Sequence, residues 1–351
     1  MGKRLWDDED KNFVALDLGT ANVIAYLGRQ GIIYNEPSQI AYNILTNSIH
    51  SIGKEAYEML GKTNENIRVI TPLVDGVIAD LDAAKDLLRT IFARMNTNNL
   101  LKNALVVLAC PSSVTELEKN ALREVVKEMG TTDTDILVEE EVKLSAIGAG
   151  INIDSPRGSL VMDIGGGTTD IAVIGSGEII FSKSIKIAGN FFDEEIRKYI
   201  RSEYNILIGP KTAETIKKDL GSLYKTDTSR KFKAFGRDII SGLPREVLIS
   251  QNEIKNVLLS PFSKIVDLIV DILENTTPEL AGDVVNNGLV VCGGGALIRG
   301  IDEYLKSIFQ FKVQVAQEPL MTVIDGAKEY EKHIHHWTEI ARLRKTQDFK
   351  L

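Results

Sequence analysis

SLVMDIGGGTTD (159–170) runs from an apolar strand into three consecutive glycines, two hydroxyls and a second carboxylate. SLVMDI reads as a strand that Gly165-Gly166-Gly167 bring to an end. A bulged hairpin explains one or two glycines but not the whole string. Glycines let a backbone come close to an anion, and successive N–H groups then form a nest for phosphate oxygens. Thr168 and Thr169 add hydroxyl donors, and Asp163 and Asp170 add carboxylates of the kind that hold a hydrated divalent cation.

Upstream, NFVALDL (12–18) ends in a shorter version, Asp17-Leu18-Gly19-Thr20. Such a turn is common by itself. Beside the longer copy it suggests two versions of one sub-domain with a cleft between them. A third block, GLVVC (288–292), leads into Gly293-Gly294-Gly295-Ala296. It either supports a nucleobase or α-phosphate or serves as an ordinary strand-to-helix turn. Around these blocks, Gly28-Arg29-Gln30-Gly31 reads as a hairpin turn into IIYNEPSQIAY, and 171–187 as two strands around Gly175-Ser176-Gly177. ALVVLAC (104–110) is a continuous apolar run, expected of a strand buried on both faces. Helices are expected at 82–95, with Asp82 as N-cap, at 115–129, with Leu117, Ala121, Leu122, Val125 and Met129 inward, and at 190–203, 211–223, 252–274 and 300–308. The alternation indicates an α/β protein with mixed sheets.

The 351 residues carry a net charge of −8, with 44% apolar and 26% charged residues, which suits a folded chain of about two domains. An acidic balance opposes general nucleic-acid binding, which needs a basic face. Cys110 and Cys292 make neither a disulfide framework nor a zinc site and fit a reducing compartment. No apolar run approaches the ~20 residues of a membrane helix, and MGKRLWDDED lacks the apolar core of a secretory signal.

In this order the three glycine blocks resemble the actin/sugar-kinase/chaperone ATPase superfamily, and within it the MreB family of bacterial actins. NEPSQIAY (35–42), TPLVDGVIAD (71–80), VEEEVKLSAIGAG (138–150), IKIAGNFFDEEI (185–196), IGPKTAETIKKDLG (208–221), SGLPREV (241–247) and TPEL (277–280) fall at that family's spacings, so the resemblance covers roughly residues 12–330. It implies an actin-like fold of two duplicated ribonuclease-H-like lobes with mixed sheets. The first lobe would comprise 1–150 plus 320–351 (subdomains IA and IB), and the second 151–319 (subdomains IIA and IIB).

The resemblance also implies ATP and Mg²⁺ as cofactors. Gly19, Thr20, Ala21 and Asn22 would line one phosphate loop, and Gly165, Gly166, Gly167, Thr168, Thr169 and Asp170 the other. Asp17 and Asp163 would hold Mg²⁺ through water. Glu214 and Lys217 would face ribose and adenine, although outside the family a solvated salt bridge between them is the simpler reading. Gly293, Gly294, Gly295, Ala296 and Leu297 would close over the adenosine. In the family the hydrolytic water is polarised by a Glu preceding a Pro. Glu141 takes that position and Val142 replaces the Pro, while Lys143 and Leu144 depart from the pattern. With Glu141 and Thr168 as catalytic residues the expected activity is slow ATP hydrolysis coupled to assembly, with Lys143 pairing with Glu139 or Glu140.

The family further implies paired protofilaments of the chain itself, lying peripherally on the anionic inner face of the cell membrane, with other MreB paralogues or membrane morphogenesis proteins as partners and a role in cell shape. Two segments suit that surface: Leu100 and Leu101 beside Lys102, and a C-terminal stripe with Trp337 backed by Arg342, Arg344 and Lys345. From 340 onward four basic residues face one acidic. Leu100 and Leu101 starting a buried strand, and a solvated terminus, are the plainer readings of these segments. Frequent Asn, Ile and Lys, with the altered VEEEVK string, suggest a paralogue from a wall-less helical bacterium, where filaments would serve shape and motility. A sugar kinase of the same superfamily is the main alternative, but no added base for a sugar hydroxyl is evident. A chaperone would need a substrate domain after the ATPase part, for which the chain is too short.

Overall fold

The computed structural model describes residues 11–94, 101–129 and 134–347, with side chains of the last helix through Leu343. The chain forms two compact units, Met1–Gly150 with Met321–Leu351, and Ile151–Leu320.

In the first unit a five-stranded sheet runs in the order Gly31–Pro37, Asn22–Leu27, Asn12–Leu18, Ala104–Cys110, Asp135–Glu140. The first two pairings are antiparallel and the last two parallel. The Ala104–Cys110 strand is wholly buried. Ala104, Val106, Leu108 and Cys110 face one apolar core, and Leu105, Val107 and Ala109 face another. The continuous apolar run is therefore the mark of a strand covered on both faces. One core is closed by the helices Leu81–Arg94 and Glu116–Met129, and the other by Glu141–Gly148 and Thr322–Lys332.

The second unit repeats the plan. Its five-stranded sheet runs Glu178–Ile185, Thr169–Gly175, Ser159–Ile164, Leu289–Cys292, Val313–Val315, again with two antiparallel pairings followed by two parallel ones. Each outer hairpin also carries a register shift, at Ala25/Tyr26 in one sheet and at Val173/Ile174 in the other. Each unit adds a three-stranded sheet: Ser48–Ile52, Ile40–Asn43, Ile67–Ile70, and Ile206–Leu207, Lys231–Asp238, Pro244–Ser250. The Ser176-Gly177 turn has φ of 53° and 82°, the positive pair a two-residue hairpin needs.

Several local expectations change. Helix Leu81–Arg94 is capped by Asp80, which accepts from the Ala83 N–H at 2.9 Å, not by Asp82. Leu117 is 80% exposed, and Val126 joins Leu122 and Val125 inward instead. Leu101 is 1% exposed and belongs to the first unit's core, so it is not a membrane wedge; Leu100 lies outside the described residues.

The C-terminal stripe is likewise occupied. Ile334, Trp337 and Ile340 pack beside buried Ala341 on the core under Thr322–Lys332, and the Trp337 ring stacks on Tyr330 at 3.9 Å. Arg342 grips Asp135 with two nitrogens, both near 3 Å from Oδ2 (3.1 and 2.9 Å), and Lys11 completes the cluster at 2.9 Å. The side chains expected to face a membrane, Trp337 and Arg342, are instead used to dock the last helix onto its own unit. The side chains of Arg344 and Lys345 lie outside the described residues.

Candidate functional site

The strand–turn–strand at 159–175 brings Asp163 directly opposite Asp170 on neighbouring strands. Both carboxylates are buried, at 6% and 2% exposure. The turn is closed by the Gly165 N–H donating to Thr168 O at 2.9 Å. Thr168 is buried, and Thr169 is fully buried with its hydroxyl donating to Ile187 O at 2.6 Å, so the fold already uses that side chain. Gly165 and Gly166 remain half-exposed, and their carbonyls accept from the N–H groups of Gly189 (3.1 Å) and Asn190 (2.8 Å), which open the helix Gly189–Tyr204.

The glycines of the three blocks have different reasons to exist. A Cβ on Gly293, whose φ is 78°, would lie 2.3 Å from Asp163 Oδ1 and 2.5 Å from Ile164 O. One on Gly295 would meet Ile164 Cγ2 at 2.2 Å. The protein's own packing demands both. A Cβ on Gly165 would meet nothing closer than Thr168 O at 3.4 Å, with ordinary φ. Among the described residues nothing requires glycine there, unlike at Gly293 and Gly295. Gly293 precedes a short helical turn, Gly294–Leu297, in which Ala296 is buried and Leu297 is 58% exposed.

On helix Pro210–Leu220, Glu214 pairs with Lys218 at 2.6 Å. Lys217 reaches across to helix Gly189–Tyr204 and donates to Asp193 Oδ2 and Gly189 O, both at 2.8 Å. The simple i,i+3 salt bridge between Glu214 and Lys217 is therefore not what forms. Burial pushes the Asp193 carboxyl up to about 6, and the Lys217 ammonium opposes that rise. Nothing in the sequence pattern singled out Asp193; only its place one turn into the helix after Gly189 could have done so.

In the first unit the loop after Asp17 is pinned from two sides. Thr20 Oγ1 accepts from the Gly76 N–H at 3.3 Å, and Ser38 donates to Gly19 O at 2.5 Å. Thr20 is buried, Asp17 half-buried, and Ala21 and Asn22 are exposed. Glu141 is the first residue of helix Glu141–Gly148, entered directly from strand Asp135–Glu140, and its Oε1 is buried. Val142 is fully buried, and Lys143, 4% exposed, lies 3.9 Å from Glu139. Among the described residues no group of three His, Cys, Asp or Glu side chains forms a metal cage. Asp163, opposite Asp170, and half-buried Asp17 each offer a carboxylate of the kind that holds a divalent ion through water.

The model of the MreB/Mbl protein family matches residues 11–339. The chain belongs to the MreB/Mbl family. Its relatives include the cell shape-determining protein Mbl of Bacillus subtilis, 40% identical over 89% of this chain and 93% of that protein, and the cell shape-determining protein MreB of Escherichia coli K12, 39% identical over 90% and 92%. Among solved structures, MreB 5 of Spiroplasma citri bound to AMPPNP is 59% identical, with a TM-score of 0.90 over 94% of this chain and 99% of that one. The same protein has been solved bound to ADP. The MamK double helical filament, at 22% identity and a TM-score of 0.77, shares the fold. The chain is thus an actin-like member of a family of cell shape-determining cytoskeletal proteins, as the motifs implied, and the Spiroplasma likeness supports a paralogue from a wall-less bacterium. No helix among the described residues is long and apolar enough to cross a membrane.

Proposed function

We propose that the chain is an ATPase that polymerises into filaments of its own copies and acts in cell shape. The observation that carries this is the duplicated strand–Asp–Gly–Thr hairpin, whose Gly165 the fold itself does not require. The 59% identity to a protein solved with AMPPNP supports ATP as the ligand.

In this reading the N–H groups around Gly165 to Thr168 and the Thr168 hydroxyl bind the phosphates, with Gly19 to Asn22 as the second phosphate segment. Glu214 and Lys217 orient the nucleoside, and Gly293 to Leu297 cover its base. Asp17 and Asp163 would hold Mg²⁺ through water, and the ion would neutralise phosphate charge. Glu141 accepts a proton from the attacking water, and Thr168 orients the γ-phosphate. Hydrolysis is slow because Val142 stands where the family has Pro, which leaves the backbone just after Glu141 less fixed. Self-association is supported by the fold shared with the MamK filament and by the family. Peripheral attachment to an anionic membrane is retained as a family trait, without the Leu101, Trp337 and Arg342 contacts that the fold has taken.

Electron microscopy of the purified chain with Mg-ATP, with Mg-ADP and without nucleotide tests the proposal. Filaments that form with ATP and thin out as phosphate is released are the expected result. Identical particles in all three conditions would refute it.

A further inference from the structure

We propose that Asp193 is a positioning residue of the nucleotide site: it fixes Lys217 and thereby locks helix Pro210–Leu220 to the turn that carries the glycine loop. The inference rests on the ATP-binding reading above and adds a residue that reading does not contain.

The geometry is a short relay. Asp193 Oδ2 and Gly189 O share the Lys217 ammonium, each at 2.8 Å. The Gly189 N–H in turn donates to Gly165 O at 3.1 Å, and the next N–H, Asn190, donates to Gly166 O at 2.8 Å. Three segments far apart in sequence, 165–166, 189–193 and 217, are joined by four hydrogen bonds. Lys217 and Asp193 are 14% and 15% exposed at their side chains.

A purely structural role accounts poorly for this arrangement. The two helices already pack through buried Phe192, Ile196, Ala213 and Ile216, so docking them needs no ion pair. Removing two charges from water is costly, and such pairs seldom add net stability. The second Asp193 oxygen, Oδ1, is buried without a hydrogen-bond partner among the described residues, an added cost that a stability element would have shed. An ammonium held by two fixed acceptors has lost its rotamer freedom before a ligand arrives, which is what a binding site gains from such a pair. The neighbouring Lys218, paired with Glu214 along its own helix and 71% exposed, does not share this restraint.

The test is a double-mutant cycle on the full chain with Asp193→Asn, Lys217→Gln and both together, reading Mg-ATP affinity by calorimetry and folding by thermal melt. Asp193→Asn is expected to weaken ATP about tenfold, the loss of one charge-assisted hydrogen bond. The double variant should bind no more weakly than Lys217→Gln alone, because Asp193 acts through that lysine. Unchanged affinity in Asp193→Asn, or losses that multiply in the double variant, would overturn the inference. If Asp193→Asn does not melt cooperatively, Asp193→Ser takes its place in the cycle. A wild-type chain that binds no Mg-ATP would instead bring down the nucleotide reading and this inference with it.

Discussion

Replacing Gly326 by alanine strikes the closest helix–helix approach among the described residues' glycines. Helix Thr322–Lys332 crosses Glu141–Gly148 so tightly that a Cβ on Gly326 would sit 1.9 Å from Leu144 O, and one on Gly148 would sit 1.9 Å from Thr322 O. The obstructing atoms are backbone, so no rotamer change relieves them. Ordinary contact begins near 3.4 Å, and the helices must part by about 1.5 Å. That stretches the buried Ser145–Thr322 hydroxyl pair, now 3.2 Å apart. Overpacking of this kind costs about 1–3 kcal/mol. For a unit of this size each kcal/mol lowers the melting temperature by about 2–4 °C, so a fall of about 2–12 °C is expected. Glu141 heads the displaced helix, and a shift of this order should also slow ATP hydrolysis by about 100-fold. Thermal melts and phosphate release, measured on Gly326→Ala and wild type, check both effects. A variant that melts at or above the wild-type temperature would refute the packing argument.

Gly282→Ala makes the opposite prediction: it lies mid-helix in Pro278–Asn287 with nothing within 4 Å of its Cβ, so urea unfolding should show about 0.5–1 kcal/mol of added stability. Trp337→Ala removes the ring stacked on Tyr330 and should lower urea-measured stability by about 2–4 kcal/mol, loosening the last helix. The Asp193 carboxyl titrates near 6 in the folded chain, above its ordinary 3.8, so the folded state binds this proton more readily. Its effect on stability therefore improves as pH falls from about 6 towards 4, and wild type should gain melting temperature relative to Asp193→Asn over that range. Deleting residues after Leu343 should reduce pelleting with anionic liposomes, whereas deletion from 333 strips Trp337 and Ala341 from the core and should lower the melting temperature as well.

Both five-stranded sheets were legible because their central strands declare themselves. ALVVLAC, SLVMDI and GLVVC are largely apolar runs followed at once by glycine or proline, and the two Asp–Gly hairpins mark where each sheet turns. The hairpin Lys231–Asp238 with Pro244–Ser250 was not legible. Phe235 (64% exposed) and Leu248 (51%) point outward beside inward Ala234, Val247 and Ile249, so apolar residues on both faces blur the alternation that marks a half-buried strand. Two-residue strands such as Ile206–Leu207 carry no periodicity at all.

Within the candidate site, the glycines and hydroxyls were legible because their chemistry is local. What the sequence concealed was partnership. Lys217 prefers Asp193, 24 residues away, to Glu214 one turn away, because the helices Gly189–Tyr204 and Pro210–Leu220 pack side by side. Leu101, Trp337 and Arg342 had the composition of a membrane surface, yet burial and the Asp135 carboxylate claim them first. An amphipathic stripe reveals that a face is to be covered, but not by what.

The most direct measurement is Mg-ATP affinity of Gly165→Ala, set beside its thermal melt. The fold leaves room for this methyl group, with 3.4 Å to Thr168 O, so the melt should match wild type. Close approach of the phosphates should not survive it, and ATP binding should weaken at least about tenfold. Wild-type affinity in a variant that folds normally would contradict the claim that this glycine loop exists to hold a nucleotide.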